Sequence, residues 1–259
     1  MRLLPTCCRP LAALALGLLA TCQPADPPAR TAGPPARPAP ATPPFDTLHL
    51  PGGQVAELRP ATAAAFARLD SASSVPALGH DSSDQPLPAG VRRVGRRLLL
   101  QPTAGPLVRV VSSRPAATTE GNSGCNYQYW GSLPAAHQWV AFGRGWAYEQ
   151  TLLIDQRTGR QLVVDGRPAA SPKGSYVLVC GASWEGGDGF NGLTLVGTTP
   201  AGPRQLWRRP LRGPGPQQAR WAAPGCWLLQ VASRAELAGD LPYHYQYLAL
   251  TLPPTSGQR

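Results

Sequence analysis

Residues 172–179 read Pro-Lys-Gly-Ser-Tyr-Val-Leu-Val, and residues 223–230, which begin 51 positions later, read Ala-Pro-Gly-Cys-Trp-Leu-Leu-Gln. Both stretches run from a turn through an aromatic residue into an apolar strand. A third copy, His137-Gln138-Trp139-Val140-Ala141, places its Trp 37 positions before Tyr176. One supersecondary unit that recurs at spacings of about 40–50 residues predicts a body built from repeated antiparallel units. Chance similarity among strands bounded by Gly and Pro is the alternative.

The strands around these repeats are short and rich in β-branched and aromatic residues. They are 6–10 residues long, and turns such as residues 157–160 and 186–189 separate them. All seven Trp and all seven Tyr lie between Tyr127 and Tyr247, so the core is expected in the C-terminal half. The Ala-rich stretch from Pro60 to Leu69 predicts one helix. The chain is therefore predicted to be all-β and antiparallel, with one short N-terminal helix.

Two elements resemble those of a known repeat family. Residues 152–160, Leu-Leu-Ile-Asp-Gln-Arg-Thr-Gly-Arg, resemble the "strand, Asp, x-x-Thr-Gly-basic, strand" element of TolB-like and WD-type β-propeller repeats. The second family element, Ser-Pro-Asp-Gly before an aromatic strand, stands here as residues 171–178, with Lys173 in place of Asp. The resemblance covers residues 126–252 and implies stacked four-stranded blades and a protein-binding surface, with no catalytic residues to carry over. The roughly 210 residues that follow residue 45 are too few for six blades, so we expect a partial or small propeller, or a β-sandwich.

The first 22 residues are typical of an export signal. Arg2 and Arg9 precede an apolar run of about ten residues, which is too short to span a bilayer. The segment ends Leu19-Ala20-Thr21-Cys22, which resembles the lipobox of bacterial lipoproteins, in which the Cys is lipidated. The sequence thus predicts a lipoprotein signal peptide over residues 1–22, with lipid attached at Cys22. An ordinary secretory signal with a coincidental Cys is the alternative.

Composition divides the rest of the chain. Residues 23–45 are predicted to be a disordered tether, because residues 23–44 hold nine prolines, which favour extended conformers. Residues 46–125 form an N-terminal part with the helix and short strands, and residues 126–259 form the aromatic-rich propeller-like domain. The net charge of +10 comes from 23 Arg and one Lys against 14 acidic residues, without a basic helix. This pattern does not favour nucleic-acid binding.

The sequence holds few groups arranged for chemistry. The four His residues lack zinc spacing, so no metal or other cofactor is expected. The loop Glu185–Gly192 is the best candidate for ligand contact, through Glu185, Asp188 and Asn191, although a long hairpin connection is the plainer interpretation. A carbohydrate-active or other hydrolytic enzyme would need two facing carboxylates, and Glu185 and Asp188 beside Trp184 are the candidates. Asp155 and Asp165 are expected to cap hairpins instead.

Three cysteines follow Cys22, and outside the cytoplasm two of them are candidates for a disulfide. Cys180 and Cys226 lie on corresponding strands of the repeat, so a Cys180–Cys226 bridge is one hypothesis. The number of cysteines does not decide the pairing. Taken together, these features predict a non-enzymatic, lipid-anchored protein of the bacterial cell envelope, periplasmic or surface-exposed. Its β body would bind an envelope protein or a glycan, with the hydrolytic enzyme as the alternative.

Overall fold

The computed structural model describes residues 46–69, 86–113, 124–145, 149–182, 189–211, 215–232 and 244–253. They all fall within one compact unit. The strands are β1 (Asp46–His49), β2 (Val55–Pro60), β3 (Val91–Val94), β4 (Arg97–Leu100), β5 (Val108–Val111), β6 (Asn126–Leu133), β7 (Gln138–Arg144), β8 (Glu149–Asp155), β9 (Gln161–Val164), β10 (Arg167–Ala170), β11 (Tyr176–Ala182), β12 (Asn191–Thr199), β13 (Gly202–Pro210), β14 (Gly215–Ala223), β15 (Cys226–Ala232) and β16 (Gln246–Thr251). Within the described ranges, α1 (Ala63–Arg68) is the one α-helix.

The strands form four antiparallel sheets that follow the order of the chain. Sheet I is β3-β4-β5, sheet II is β6-β7-β8-β9, sheet III is β10-β11-β12-β13, and sheet IV is β14-β15-β16-β2-β1. In sheet IV, β2 pairs with β16, so strands from residues 46–60 complete a sheet made from the C-terminal strands. The prediction of an all-β, antiparallel fold with one short helix is confirmed.

Consecutive sheets pack face to face, and each contact contains a hydrophobic core. Alternate residues of β7 show the arrangement, because Trp139 and Ala141 join the core with sheet I while Val140 and Phe142 join the core with sheet III. In sheet III, Val177 and Val179 face sheet II, whereas Leu178 faces sheet IV. Strands buried on both faces read as continuous apolar runs. This burial explains why β7 and β11 could be recognised from sequence.

The internal repeat corresponds to one position in each sheet. The apolar strands of the three copies are β7, β11 and β15. Each of them is the second strand of its sheet along the chain. The turn before each contains a left-handed residue, namely His137, Gly174 or Gly225, with φ of 52°, 68° and 72°. Gly95, with φ of 56°, precedes β4 of sheet I in the same way. The turn and the second strand of the predicted unit therefore recur in sheet I, where Arg97 stands in place of the aromatic residue.

The helix starts later than predicted. Pro60 and Ala61 belong to the pairing edge of β2, because Pro60 is opposite Leu248 and the Ala61 amide donates to the Tyr247 carbonyl. Thr62 is the N-cap and its Oγ1 accepts from the Ala65 amide. Phe66 is buried against Tyr247, with ring centroids 5.3 Å apart, so α1 covers the outer face of sheet IV. No helix among the described residues is long and apolar enough to cross a membrane.

Candidate ligand-binding site

A cavity of about 970 Å³ opens at the end of the core between sheets III and IV. Its floor belongs to that core, through Leu50, Leu195 and Trp207. Its walls come from several stretches that are distant in sequence. The lining residues are Leu50, Pro51, Gln54, Ser171, Pro172, Lys173, Ser175, Tyr176, Leu195, Leu206, Trp207, Trp221, Pro224, Gly225, Leu252 and Pro253.

The repeated turns form two sides of this cavity. Residues 171–175 precede β11 and residues 224–225 precede β15, so equivalent turns of neighbouring sheets meet at the opening. A Cβ at Gly174 would lie 1.7 Å from the Ala135 carbonyl oxygen of the equivalent turn in sheet II. Only glycine fits both this close approach and the left-handed backbone. The Thr198 hydroxyl donates to the Gly174 carbonyl and holds the turn against β12.

Aromatic rings give the cavity its shape. Trp207 is 7% exposed, while Tyr176 and Trp221 are half-buried. The Trp221 ring meets the fully buried Trp227 edge to face, with centroids 4.9 Å apart, which holds Trp221 in place. Leu206, at 42% exposure, lies at the opening. Such a wall offers a large apolar contact area with little side-chain entropy to lose on binding.

Few polar groups face the cavity. Lys173, the single lysine of the sequence, is exposed and is the one charged residue among the described lining residues. Ser171 is already engaged, since its Oγ accepts from the Tyr176 amide over 3.2 Å. This lining favours an apolar or amphipathic ligand over one that is bound mainly by hydrogen bonds.

Of the three residues predicted to contact ligand, the structure describes Asn191, which does not line this cavity. Glu185 and Asp188 lie outside the described residues. Asn191 is the first residue of β12 and pairs with Ala182, whereas Gly197 of β12 pairs with Tyr176 at the cavity end. Asn191 Nδ2 donates to the Leu211 carbonyl over 3.1 Å, and the Leu211 amide donates to the Asn191 carbonyl. Asn191 therefore joins two chain segments at the opposite end of sheet III.

The described carboxylates of residues 126–259 are paired with arginines. Glu149 lies 3.0 Å from Arg144, Asp155 lies 2.9 Å from Arg157, and Asp165 lies 2.8 Å from Arg208. Asp155 also accepts from the Arg157 and Thr158 amides, which confirms that it caps the β8–β9 hairpin. Burial raises the pKa of the Asp155 carboxyl, but the hydrogen bonds from Arg157 and Thr158 outweigh burial, so the pKa lies below its ordinary value.

The Cys180–Cys226 bridge is not present, because Cys125, Cys180 and Cys226 all have free thiols. Cys226 directly follows Gly225 at the cavity, whereas Cys180 lies four residues beyond Tyr176, about 13 Å further along its strand. Burial raises the pKa of the Cys180 thiol far above its ordinary range, and burial also raises the pKa of Cys226. Both thiols are thus protonated and poor nucleophiles. The described residues include no group of three or more His, Cys, Asp or Glu placed to hold a metal ion.

Comparison of the chain with protein-family models, with curated proteins and with solved structures gave no match.

Proposed function

We propose that this chain is a non-enzymatic, lipid-anchored protein of the bacterial cell envelope that binds a partner through the cavity between sheets III and IV. The aromatic cavity is the observation that carries the binding role. The export segment, the Leu-Ala-Thr-Cys sequence ending at Cys22 and the proline-rich residues 23–44 support envelope anchoring. A body held by a lipidated N-terminus and an extended tether can reach a partner at some distance from the membrane.

The order of the sheets supports a small propeller-like body. Sheets I to IV follow one another along the chain. Strands β1 and β2 complete sheet IV, because β2 pairs with β16. The left-handed turns before β4, β7, β11 and β15 repeat the same unit in all four sheets. The resemblance to propeller repeats implies a protein-binding surface, and here the repeated turns border the cavity.

The cavity chemistry favours a binding role over hydrolysis. A glycosidase needs two carboxyl groups on either side of the scissile bond, and the described lining residues include no acidic side chain. Glu149, Asp155 and Asp165, the described carboxylates of this half, each have an arginine partner. The partner that fits best is an apolar segment of an envelope protein, or an amphipathic molecule that inserts its apolar part between Tyr176, Trp207 and Trp221.

Site-specific photo-crosslinking in the living cell tests this role. Leu206 lies at the cavity opening and is 42% exposed, so a benzoylphenylalanine at this position can reach a bound partner. Val163, which is 53% exposed on β9 and does not line the cavity, gives a matched control. We expect a discrete crosslinked product from position 206 and none from position 163.

A second variant connects the product to the cavity. Trp221→Ala removes one aromatic wall, and we expect it to abolish the product from position 206 while the folded protein is still present at the same level. Identical products from positions 206 and 163, or no product from position 206, would contradict the proposed site.

A further inference from the structure

The outer face of sheet I is rich in arginine. The described segment 86–113 contains five Arg and no acidic residue. Arg93 points inward and donates to the Tyr127 carbonyl. Arg92, Arg97 and Arg109 are exposed on the other face, and Arg96 is exposed in the turn between β3 and β4. Among the described residues, these four arginines have no ion-pair partner.

Strand register arranges these side chains in two rows. One row is Arg92, Leu99 and Arg109, and the other is Val94, Arg97 and Val111, because these residues are cross-strand partners. Val94 and Val111 are 55% and 54% exposed. Leu99 is 8% exposed, between two arginines whose aliphatic stems can cover it. The face therefore alternates guanidinium groups with Val and Leu side chains.

The outer face of sheet I is too small for a stable protein–protein interface. Four residues along each strand and three strands across give about 13 Å by about 14 Å. A stable protein–protein interface buries about 800 Å² on each partner, several times this area, and is centred on aromatic anchors. The outward positions of these three strands carry no aromatic side chain. A few arginines can bind a partner surface that presents many separate phosphate groups. Such binding requires neither a large contact area nor an aromatic anchor.

We propose that the outer face of sheet I docks on the phosphate groups of an anionic lipid bilayer. Guanidinium groups bind phosphate oxygens in pairs, and Val94 and Val111 are short enough to rest at headgroup depth. The site is separate from the cavity, whose lining comes from sheets III and IV and the adjoining segments 50–54 and 252–253. Binding by this face does not require a lipid on Cys22. The face would therefore orient the body against a membrane independently of the proposed anchor.

Vesicle co-sedimentation tests the proposal. Residues 23–259, which lack both the predicted leader and Cys22, are mixed with phosphatidylcholine vesicles that contain or lack phosphatidylglycerol. We expect binding to the phosphatidylglycerol vesicles only, and weaker binding as salt is raised. Each basic residue near an anionic surface changes the partition coefficient about fivefold, so Arg92→Gln/Arg97→Gln/Arg109→Gln should lower it roughly a hundredfold.

A control with the same net charge distinguishes a specific face from general attraction. Arg68, Arg160 and Arg204 are exposed on other elements, and their triple change to Gln removes the same charge. We expect this control to keep most of the binding. If the Gln variant of sheet I misfolds, Arg92→Gln alone should still cost about fivefold. Equal loss in the two triple variants, equal binding to both vesicle types, or no binding by the parent would overturn the proposal.

Discussion

Gln138 and Asp155 face each other across β7 and β8, both fully buried, and Gln138 Nε2 donates to Asp155 Oδ2 over 3.1 Å. The same carboxylate receives the Arg157 side chain over 2.9 Å, and that guanidinium also donates to the Thr199 carbonyl of sheet III. Asp155 thus joins the β8–β9 turn to its own sheet and, through Arg157, to the next one. A buried carboxylate satisfied on both oxygens makes this connection sensitive to small changes.

Asp155→Asn should destabilise the protein by about 3 kcal/mol, because the new amide group must face hydrogen-bond donors that now point at a carboxylate oxygen. Urea unfolding followed by tryptophan fluorescence measures the change. Asp46→Asn is the matched control, since Asp46 is exposed and accepts from the neighbouring Thr47 amide. Equal effects of the two substitutions would contradict the role assigned to Asp155.

Acid should weaken the fold partly through Asp155. Because the pKa of this carboxyl in the folded protein lies below its ordinary value, its stabilising contribution is complete above about pH 4 and is lost as the pH falls through the folded pKa. We expect the free energy of unfolding of Asp155→Asn to fall less steeply below about pH 4 than that of the parent. Parallel curves would show that other groups cause the acid sensitivity.

The strands that could be predicted are those buried on both faces or formed by apolar runs, such as β7, β11 and β15. Three strands with a weak sequence signal, β3, β10 and β14, are each the outer strand of a sheet. An edge strand makes backbone hydrogen bonds on one side only, so it tolerates Pro168 in β10 and Pro216 in β14. These prolines, together with the arginines of β3, removed the usual strand signal.

The cavity could not be predicted because it depends on how neighbouring sheets approach each other. The sequence placed the core in the aromatic-rich C-terminal half, and Trp207 and Trp227 do lie in the core between sheets III and IV. The open part is lined by Pro51, Pro224 and Pro253, which come from three segments that are distant in sequence. The turn glycines 174 and 225 were the available signal, since they mark the end at which the repeats meet.

His137→Val should destabilise the protein by about 1–3 kcal/mol, because His137 has the left-handed backbone that glycine has in the three equivalent turns. His137→Gly should be as stable as the parent or more stable, since glycine adopts this conformation without strain. Thermal unfolding compares the two. His49→Val gives the control, because His49 is exposed in the extended strand β1, where a β-branched residue fits. Destabilisation by Gly equal to that by Val would rule out backbone strain as the cause.

Cys22→Ala should abolish incorporation of labelled palmitate in bacterial cells. The Leu-Ala-Thr-Cys sequence offers this thiol as the attachment point, and two or more acyl chains hold a protein stably at a bilayer. Cys8→Ala, within the predicted leader, is the control and should leave the labelling unchanged. Labelling that persists in Cys22→Ala would contradict lipidation there, whereas the photo-crosslinking from position 206 tests the cavity independently of the anchor.

Arg220→Met should release α1 from sheet IV. The Arg220 guanidinium lies 4.4 Å from the centroid of the Phe66 ring, and its Nη1 donates to the carbonyls of Phe66 and Leu69 at the C-terminal end of the helix. Methionine keeps the apolar stem but loses the charge and both hydrogen bonds, so we expect a loss of about 1–2 kcal/mol. Hydrogen exchange of the Phe66 and Leu69 amides, read against Arg204→Met as an exposed control, measures the release. Because a six-residue helix is not stable alone, these amides should exchange much faster while the core strand β15 stays protected. Unchanged exchange at Phe66 would show that burial of its ring against Tyr247 is sufficient to hold α1 in place.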